Sequence, residues 1–207
     1  AQGFGRNHPL AIPRVATVLR LCEELGWVDE SSMREAPAAD LASLVRFHDH
    51  EYVSALRDAD AAGQVTAAVR ERFGFGTLEN PLFPGVFTRA ATAVGGSILA
   101  AELALDGRVV FHPAGGTHHG RPGRASGFCY FNDPVFAILT LLEHGLQRVL
   151  YVDLDAHHGD GVQDAFDDCP LDGPDTDGSG CPYLHTGDAV RVYDKLWAQP
   201  SLFWGVT

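Results

Sequence analysis

Apolar positions recur at helical spacing in some windows of the chain and form short continuous runs in others. Over residues 10–25, Val15, Val18, Leu19, Cys22 and Leu25 fall on one helical face, and Gly26 follows as a stop. A second helix is expected over 51–61. After the Gly-rich interruption FGFGTLENPLFPG at 73–85, the Ala-rich segment 86–105 reads as a long helix, loosened by Gly95 and Gly96. The apolar run 108–112 is then expected as a short strand.

A loop over 113–127 precedes Asn132, Asp133 and Pro134, which form a helix start with Pro at the first helical position. That helix should reach His144 and stop at Gly145. The run 148–154 is too short and too rich in β-branched and aromatic residues for another helix, so it is expected as a buried strand, with a helix beginning near Gly161. Strands alternating with helices predict an α/β fold with a parallel sheet. From 167 the sequence DDCPLDGPDTDGSGCPYLHTGD has no period and reads as a long loop; Trp197, Phe203 and Trp204 beyond it call for burial. No internal repeat is visible, and residues 1–207 are expected to form a single domain.

Composition narrows the function classes. A net charge of −12 argues against nucleic acid or an anionic membrane as a direct partner, because both require clustered Lys and Arg. The four cysteines (Cys22, Cys129, Cys169, Cys181) contain no C-x-x-C pair and no disulfide framework, so reduced thiols and a cytoplasmic protein are expected. No run approaches the roughly 18 apolar residues that span a bilayer, and AQGFGRNHPL has no signal-peptide pattern.

The chemistry concentrates in two clusters. YVDLDAHHGDGVQDAF, 151–166, sets Asp153, Asp155, His157, His158 and Asp160 within eight positions after an apolar run. Buried charges need partners or a metal. In an extended strand Asp153, Asp155 and His157 would share a face at the carboxyl end, where parallel sheets place ligands. Carboxylate oxygen and imidazole nitrogen suit zinc, whose catalytic sites need three protein ligands and keep one position open. The second cluster is His118 and His119, after the other expected strand. An imidazole acting as general base is held in one tautomer, usually by a carboxylate, and Asp153 and Asp160 are the natural partners.

Each residue alone has a plainer reading. An adjacent His pair is commonly a surface feature, Asp153 and Asp160 are common caps or turn formers, Gly115, Gly116 and Gly127 ordinary turn glycines, and Phe128 a core residue. Glu79 reads as a solvated loop carboxylate, Cys129 as a small buried hydrophobe, and GRPGR at 120–124 as a solvated turn. The conjunction of two complementary strand-end clusters favours a site.

PAGGTHH, SGFCYFND and YVDLDAHHGDG, in this order, together with NHPLAIPR (7–14), FHDHEYVSAL (47–56) and GTLENPLF (76–83), resemble the zinc-dependent histone deacetylase family, and most its bacterial acetoin-utilization branch. The resemblance covers 7–166 and implies a three-layer α/β domain of the arginase/deacetylase kind, with a mainly parallel sheet flanked by helices, here shortened at its C-terminal side; 167–207 departs from the pattern. It implies Asp155 and His157 as two ligands of one catalytic Zn2+. His118 and His119 match the tandem active-site histidines, partnered by Asp153 and Asp160 respectively. Asp153 and the backbone carbonyls of Asp155 and His157 match a structural K+ site. Gly127 and Phe128 match the wall of an acyl-lysine channel, and Glu79 a rim acid that orients substrate.

The implied activity is removal of acetyl groups from lysine side chains of acetylated proteins, with acetate and a free amine as products. Zinc would polarise the carbonyl, His119 would move the protons of water and leaving amine, and His118 would stabilise charge. The family's third zinc ligand, an Asp, its oxyanion Tyr and its aromatic PGTG loop are not recognised in the 207 residues; Asp172, Asp175, Asp177, Tyr183 and Tyr193 are weak substitutes. Hydrolysis of acetylpolyamines or other small amides, and a catalytically silent domain that binds acetylated ligands, are the alternatives. A dinuclear ureohydrolase shares the Asp155–His157 spacing but wants its next Asp one position nearer than Asp160. The substrate and the oligomeric state are not legible.

Overall fold

The computed structural model describes residues 11–166 and the backbone of residues 190–193. Helix α1 (Arg14–Glu24) ends where Gly26 turns left-handed (φ 68°), as its stop signal predicts. Its apolar face is not covered by the described residues: no residue of α1 is buried, and Val18 and Leu21 are exposed, as is Trp27 just beyond. Asp40 caps the short α2 (Leu41–Leu44) by accepting from the Ser43 N–H at 2.8 Å. Helix α3 (His50–Ala62) occupies the window expected to be helical, one residue longer at each end, and closes on left-handed Gly63. Helix α4 (Ala67–Phe73), capped by Thr66 and closed by Gly74, was not foreseen.

The long helix α5 (Val86–Leu105) runs unbroken through Gly95 and Gly96. These glycines do not loosen it; they allow close approach. A Cβ at Gly95 would collide with the Pro37 carbonyl, and one at Gly96 with the His112 ring. Helix α6 (Asp133–Glu143) starts as expected, with the Asn132 side chain accepting from the Val135 N–H at 3.4 Å and Pro134 in the first turn. Packing of α5 on α6, with α3 against α5, encloses a core of Phe47, Tyr52, Leu56, Val94, Phe131 and Phe136, all under 2 % exposed. Burial of such side chains is worth about 1.5–3 kcal/mol each and dominates what holds this half of the structure together.

Strand β1 (Val149–Val152) is shorter than the expected strand, and the described residues cover one of its faces: Val149 and Tyr151 pack against the core while Leu150 and Val152 are exposed. It pairs in parallel with β2 (Val190–Tyr193), Val149 opposite Val190, and this second strand falls where no element was expected. Between them, α7 (Asp160–Phe166) buries Val162 and Phe166. Residues 108–112 are not a strand. They have no ladder partner among the described residues, and Phe111 is 65 % exposed. A strand is a property of a pair, so an apolar run without a neighbouring edge stays irregular. The expected loop after 167 and Trp197, Phe203 and Trp204 lie outside the described residues. None of the helices described is long and apolar enough to cross a membrane.

Candidate active site

Two loops build the site. The first, 113–121, carries His118 and His119 and is fastened from below by Asp133 at the start of α6. That buried carboxylate accepts from the N–H groups of Thr117 (2.7 Å) and Gly116 (3.1 Å) and from the Ser97 hydroxyl (2.5 Å). Asn132 donates from its amide to the Gly120 carbonyl at 2.9 Å and the His118 carbonyl at 3.3 Å. Gly161 in α7 fits beneath: a Cβ there would stand 2.5 Å from the Gly120 carbonyl oxygen. The backbone that presents the histidines is therefore held by helix α6 and by close contact with α7.

His48 adds a second fastening. The Asn132 N–H can only donate, so at 3.0 Å from His48 Nε2 it makes that nitrogen the acceptor. Nδ1 then carries the hydrogen and donates to the Arg121 carbonyl at 3.0 Å. Buried among Phe47, Tyr52, Phe131 and Phe136, the ring is kept neutral: burial lowers its pKa to about 4, against the opposing effect of the Pro122 and Arg121 carbonyls. This role was missed because the FHDHEY segment was read only as part of a resemblance, although an aromatic-flanked histidine in a helix entry is a signal for a buried one.

The second loop, 153–159, follows β1. It is not an extension of the strand, so Asp153, Asp155 and His157 do not share a strand face as expected. Consecutive Asx-type turns place them instead: Asp153 Oδ1 accepts from the Asp155 N–H at 2.9 Å, and Asp155 Oδ1 from the His157 N–H at 2.8 Å. Asp153 turns inward and is 7 % exposed, whereas Asp155 and His157 face outward.

The loops meet through two imidazole–carboxylate contacts. His118 Nδ1 lies 2.6 Å from Asp153 Oδ2, and His119 Nδ1 lies 2.7 Å from Asp160 Oδ1. An ionised carboxylate only accepts, so both rings carry hydrogen on Nδ1 and leave Nε2 as the working nitrogen. The rings are 4.1 Å apart at their centroids. Burial raises the pKa of Asp153, but the His118 contact, the Asp155 N–H and the Tyr151 hydroxyl (2.8 Å) outweigh it and hold the carboxyl below its ordinary value. Asp160 is lowered likewise: burial opposes ionisation, and the bond from His119 and the charge of Arg121 prevail.

Asp155 and His157 stand beside this pair, with the His157 ring centroid 6.1 Å from that of His119. His157 Nδ1 and Asp155 Oδ1 are 2.9 Å apart, and the carboxyl is lowered first by the His157 N–H. An oxygen and a nitrogen donor at one edge of the site fit zinc in type and placement. Among the described residues no third His, Cys, Asp or Glu joins them. Asp172, Asp175, Asp177 and Tyr183 lie outside the described residues, and of Tyr193 only the backbone is described.

The turn 126–129 lies against the His119 ring. Ser126 and Cys129 exchange backbone hydrogen bonds (3.1 and 2.8 Å), with positive φ at Gly127 (52°) and Phe128 (69°), as in a two-residue type I′ connection. Phe128 is the one described non-glycine residue with positive φ. Gly127 has a further reason to be glycine, since a Cβ there would enter the His119 ring. Its N–H donates to Glu79 Oε1 at 3.1 Å, so Glu79 is tied to this turn and is not merely solvated. Cys129 is buried, and burial pushes its thiol up to about 12, which leaves it inert as a nucleophile.

Two histidines, each backed by a carboxylate, thus stand beside a carboxylate–imidazole donor pair after a parallel strand of an α/β fold. The chain belongs to the histone deacetylase domain family, whose model matches residues 8–171. It is 38 % identical over 170 residues to the acetoin utilization protein AcuC of Bacillus subtilis, covering 81 % of this chain and 43 % of the relative, and 39 % identical over 165 residues to histone deacetylase 1 of Oryza sativa subsp. japonica, covering 79 % and 32 %. The crystal structure of a histone deacetylase homologue from Aquifex aeolicus superposes with a TM-score of 0.77 at 41 % identity, over 82 % of this chain and 45 % of that one. A histone deacetylase homologue complexed with SAHA superposes with a TM-score of 0.75 at 40 % identity, over 79 % and 44 %. The fold is therefore the arginase/deacetylase fold, and the chain spans less than half the length of these relatives.

Proposed function

We propose that this chain carries the proton-transfer half of a zinc-dependent deacetylase site that hydrolyses acetyl-lysine side chains. The observation that carries the reading is the pair of Nδ1–carboxylate contacts at adjacent histidines, with Asp155 and His157 beside them. His119 Nε2 takes a proton from the attacking water; the water oxygen bonds to the acetyl carbon, the amide C–N bond breaks, and the proton passes to the leaving amine, giving acetate and a free lysine. Asp160 keeps His119 in the tautomer that this requires and stabilises the charged ring. His118, backed by the more deeply buried Asp153, stabilises the charge that develops on the acetyl oxygen. Asp155 and His157 would hold the zinc ion, which when bound supplies a Lewis acid for the acetyl carbonyl. Gly127 and Phe128 wall the entry, and Glu79 stands at its rim.

The test is acetate release from an acetyl-lysine peptide by the full chain with added zinc. Release lost in His119→Ala at unchanged fold supports the reading, and release unchanged in that variant refutes it. Faster turnover of acetylputrescine than of the peptide would move the substrate class to small amines. A second reading is a domain that binds acetylated ligands without turnover; peptide binding without acetate release at any zinc concentration would establish it.

A further inference from the structure

The turn GRPGR, 120–124, is held closed by backbone bonds between Arg121 and Arg124, yet its first arginine does not face solvent alone. The Arg121 guanidinium reaches α7 and forks. Its Nη2 donates to Asp160 Oδ2 at 2.6 Å, and its Nη1 pairs with Asp164 Oδ2. Asp160 and Asp164 are four residues apart, so they lie on one face of α7 and match the two arms of a planar guanidinium. Asp160 thus has both oxygens engaged: Oδ1 by His119 and Oδ2 by Arg121. The backbone of Arg121 is fixed as well, because its carbonyl accepts from buried His48.

We propose that Arg121 is a positioning residue for the His119–Asp160 pair, clamping the carboxylate so that one oxygen is aimed at the imidazole. Without the clamp, Asp160, which is about one-third exposed, can rotate about its side-chain torsions or turn toward water, and His119 loses the partner that fixes its tautomer. Asp164 takes no part in the reaction and serves to hold the second arm. Lysine cannot replace this function fully, since a point charge on a flexible stem addresses one carboxylate at a time.

The test has two arms, of which only the kinetic one rests on the deacetylase reading. In the kinetic arm, Arg121→Gln lowers kcat on the acetyl-lysine peptide by about tenfold or more, by analogy with the loss on removing a group that orients a metal-binding histidine. KM stays within about twofold, and Arg121→Lys recovers part of the loss. In the spectroscopic arm, proton NMR of the 15N-histidine-labelled chain follows the hydrogen-bonded Nδ1 protons of His119 and His48. Arg121→Gln should broaden or shift the His119 signal and speed its exchange with water, while the His48 signal, which reports the backbone of the same loop, is retained. An unchanged His119 signal beside a retained His48 signal overturns the proposal, whether or not the chain releases acetate. If Arg121→Gln abolishes both signals, Asp164→Asn, which frees one arm and leaves the loop intact, decides between the same two results. A wild-type chain with no acetate release but with the His119 signal dependent on Arg121 refutes the functional reading and supports the clamp.

Discussion

The buried imidazole of His48 makes stability depend on pH in a window where few groups act. Its folded-state pKa, lowered to about 4 by burial, lies below the ordinary value of 6.5. In the unfolded chain the ring takes up its proton as pH falls through 6.5; in the folded chain it does not until about 4. The unfolded state therefore binds more protons between these values, and stability falls with decreasing pH across the window. Each pH unit is worth about 1.4 kcal/mol, so the full window is worth about 3 kcal/mol. That is a large share of the 5–15 kcal/mol typical of a domain. The lowered carboxyls of Asp153, Asp155 and Asp160 act separately, their contribution being present above the ordinary 3.8 and lost as pH falls further. Urea unfolding followed by circular dichroism at intervals from pH 7.5 to 4 measures the slope. His48→Gln keeps a donor and an acceptor in place but cannot titrate, so its stability should be flatter over 4–6.5 by the His48 contribution. Parallel curves for the two proteins would refute the assignment of His48 as a buried neutral ring.

Gly127→Ala should destabilise the fold by about 2–4 kcal/mol in urea, combining roughly 1 kcal/mol for the left-handed backbone with about 1–3 kcal/mol of overpacking against His119. Because it pushes the ring off Asp160, it should also cut acetate release by about 100-fold or more; wild-type stability and rate together would count against the turn geometry. Asp133→Asn sets an amide NH2 against N–H donors in a buried place and should cost about 3 kcal/mol, measured by the urea midpoint; a cost under about 0.5 kcal/mol would show that the loop is held elsewhere. Chelation should abolish acetate release and added zinc restore it, while Asp155→Ala should raise the zinc concentration needed for restoration, as read by zinc titration calorimetry as well as by activity; equal zinc affinity in the variant would remove Asp155 from the metal site.

Local signals carried far in this sequence. The α6 start was legible because Asn132 and Pro134 act within one turn, and α5 because an apolar pattern persists over twenty residues. Asp153 and Asp160 were legible as carboxylates for His118 and His119 because a working imidazole needs such a partner, and the family resemblance implied which goes with which. Strand identity was less accessible: 108–112 has strand composition, but pairing depends on a neighbour far along the chain. The same limit hid β2, whose register is set by β1. The plain turn reading of 120–124 was right about the backbone and missed the side chain, since nothing local tells that Arg121 meets a helix forty residues on. His48 shows the reverse case, an ordinary-looking residue whose neighbours Phe47 and Tyr52 already signalled burial.

The spacing of the dyads along the chain sets the order in which the site comes into being. His118 and Asp153 are 35 residues apart, His119 and Asp160 are 41 apart, while three of the side chains that fasten the histidine loop, Asp133, Asn132 and His48, lie before residue 134. Chains emerge N-terminus first during synthesis. These side-chain fastenings thus involve only residues made before Asp153 and Asp160, and the dyads close in chain order, His118 with Asp153 from the loop after β1 and then His119 with Asp160 at the start of α7. The pair of backed imidazoles is therefore complete only when the last described helix is in place.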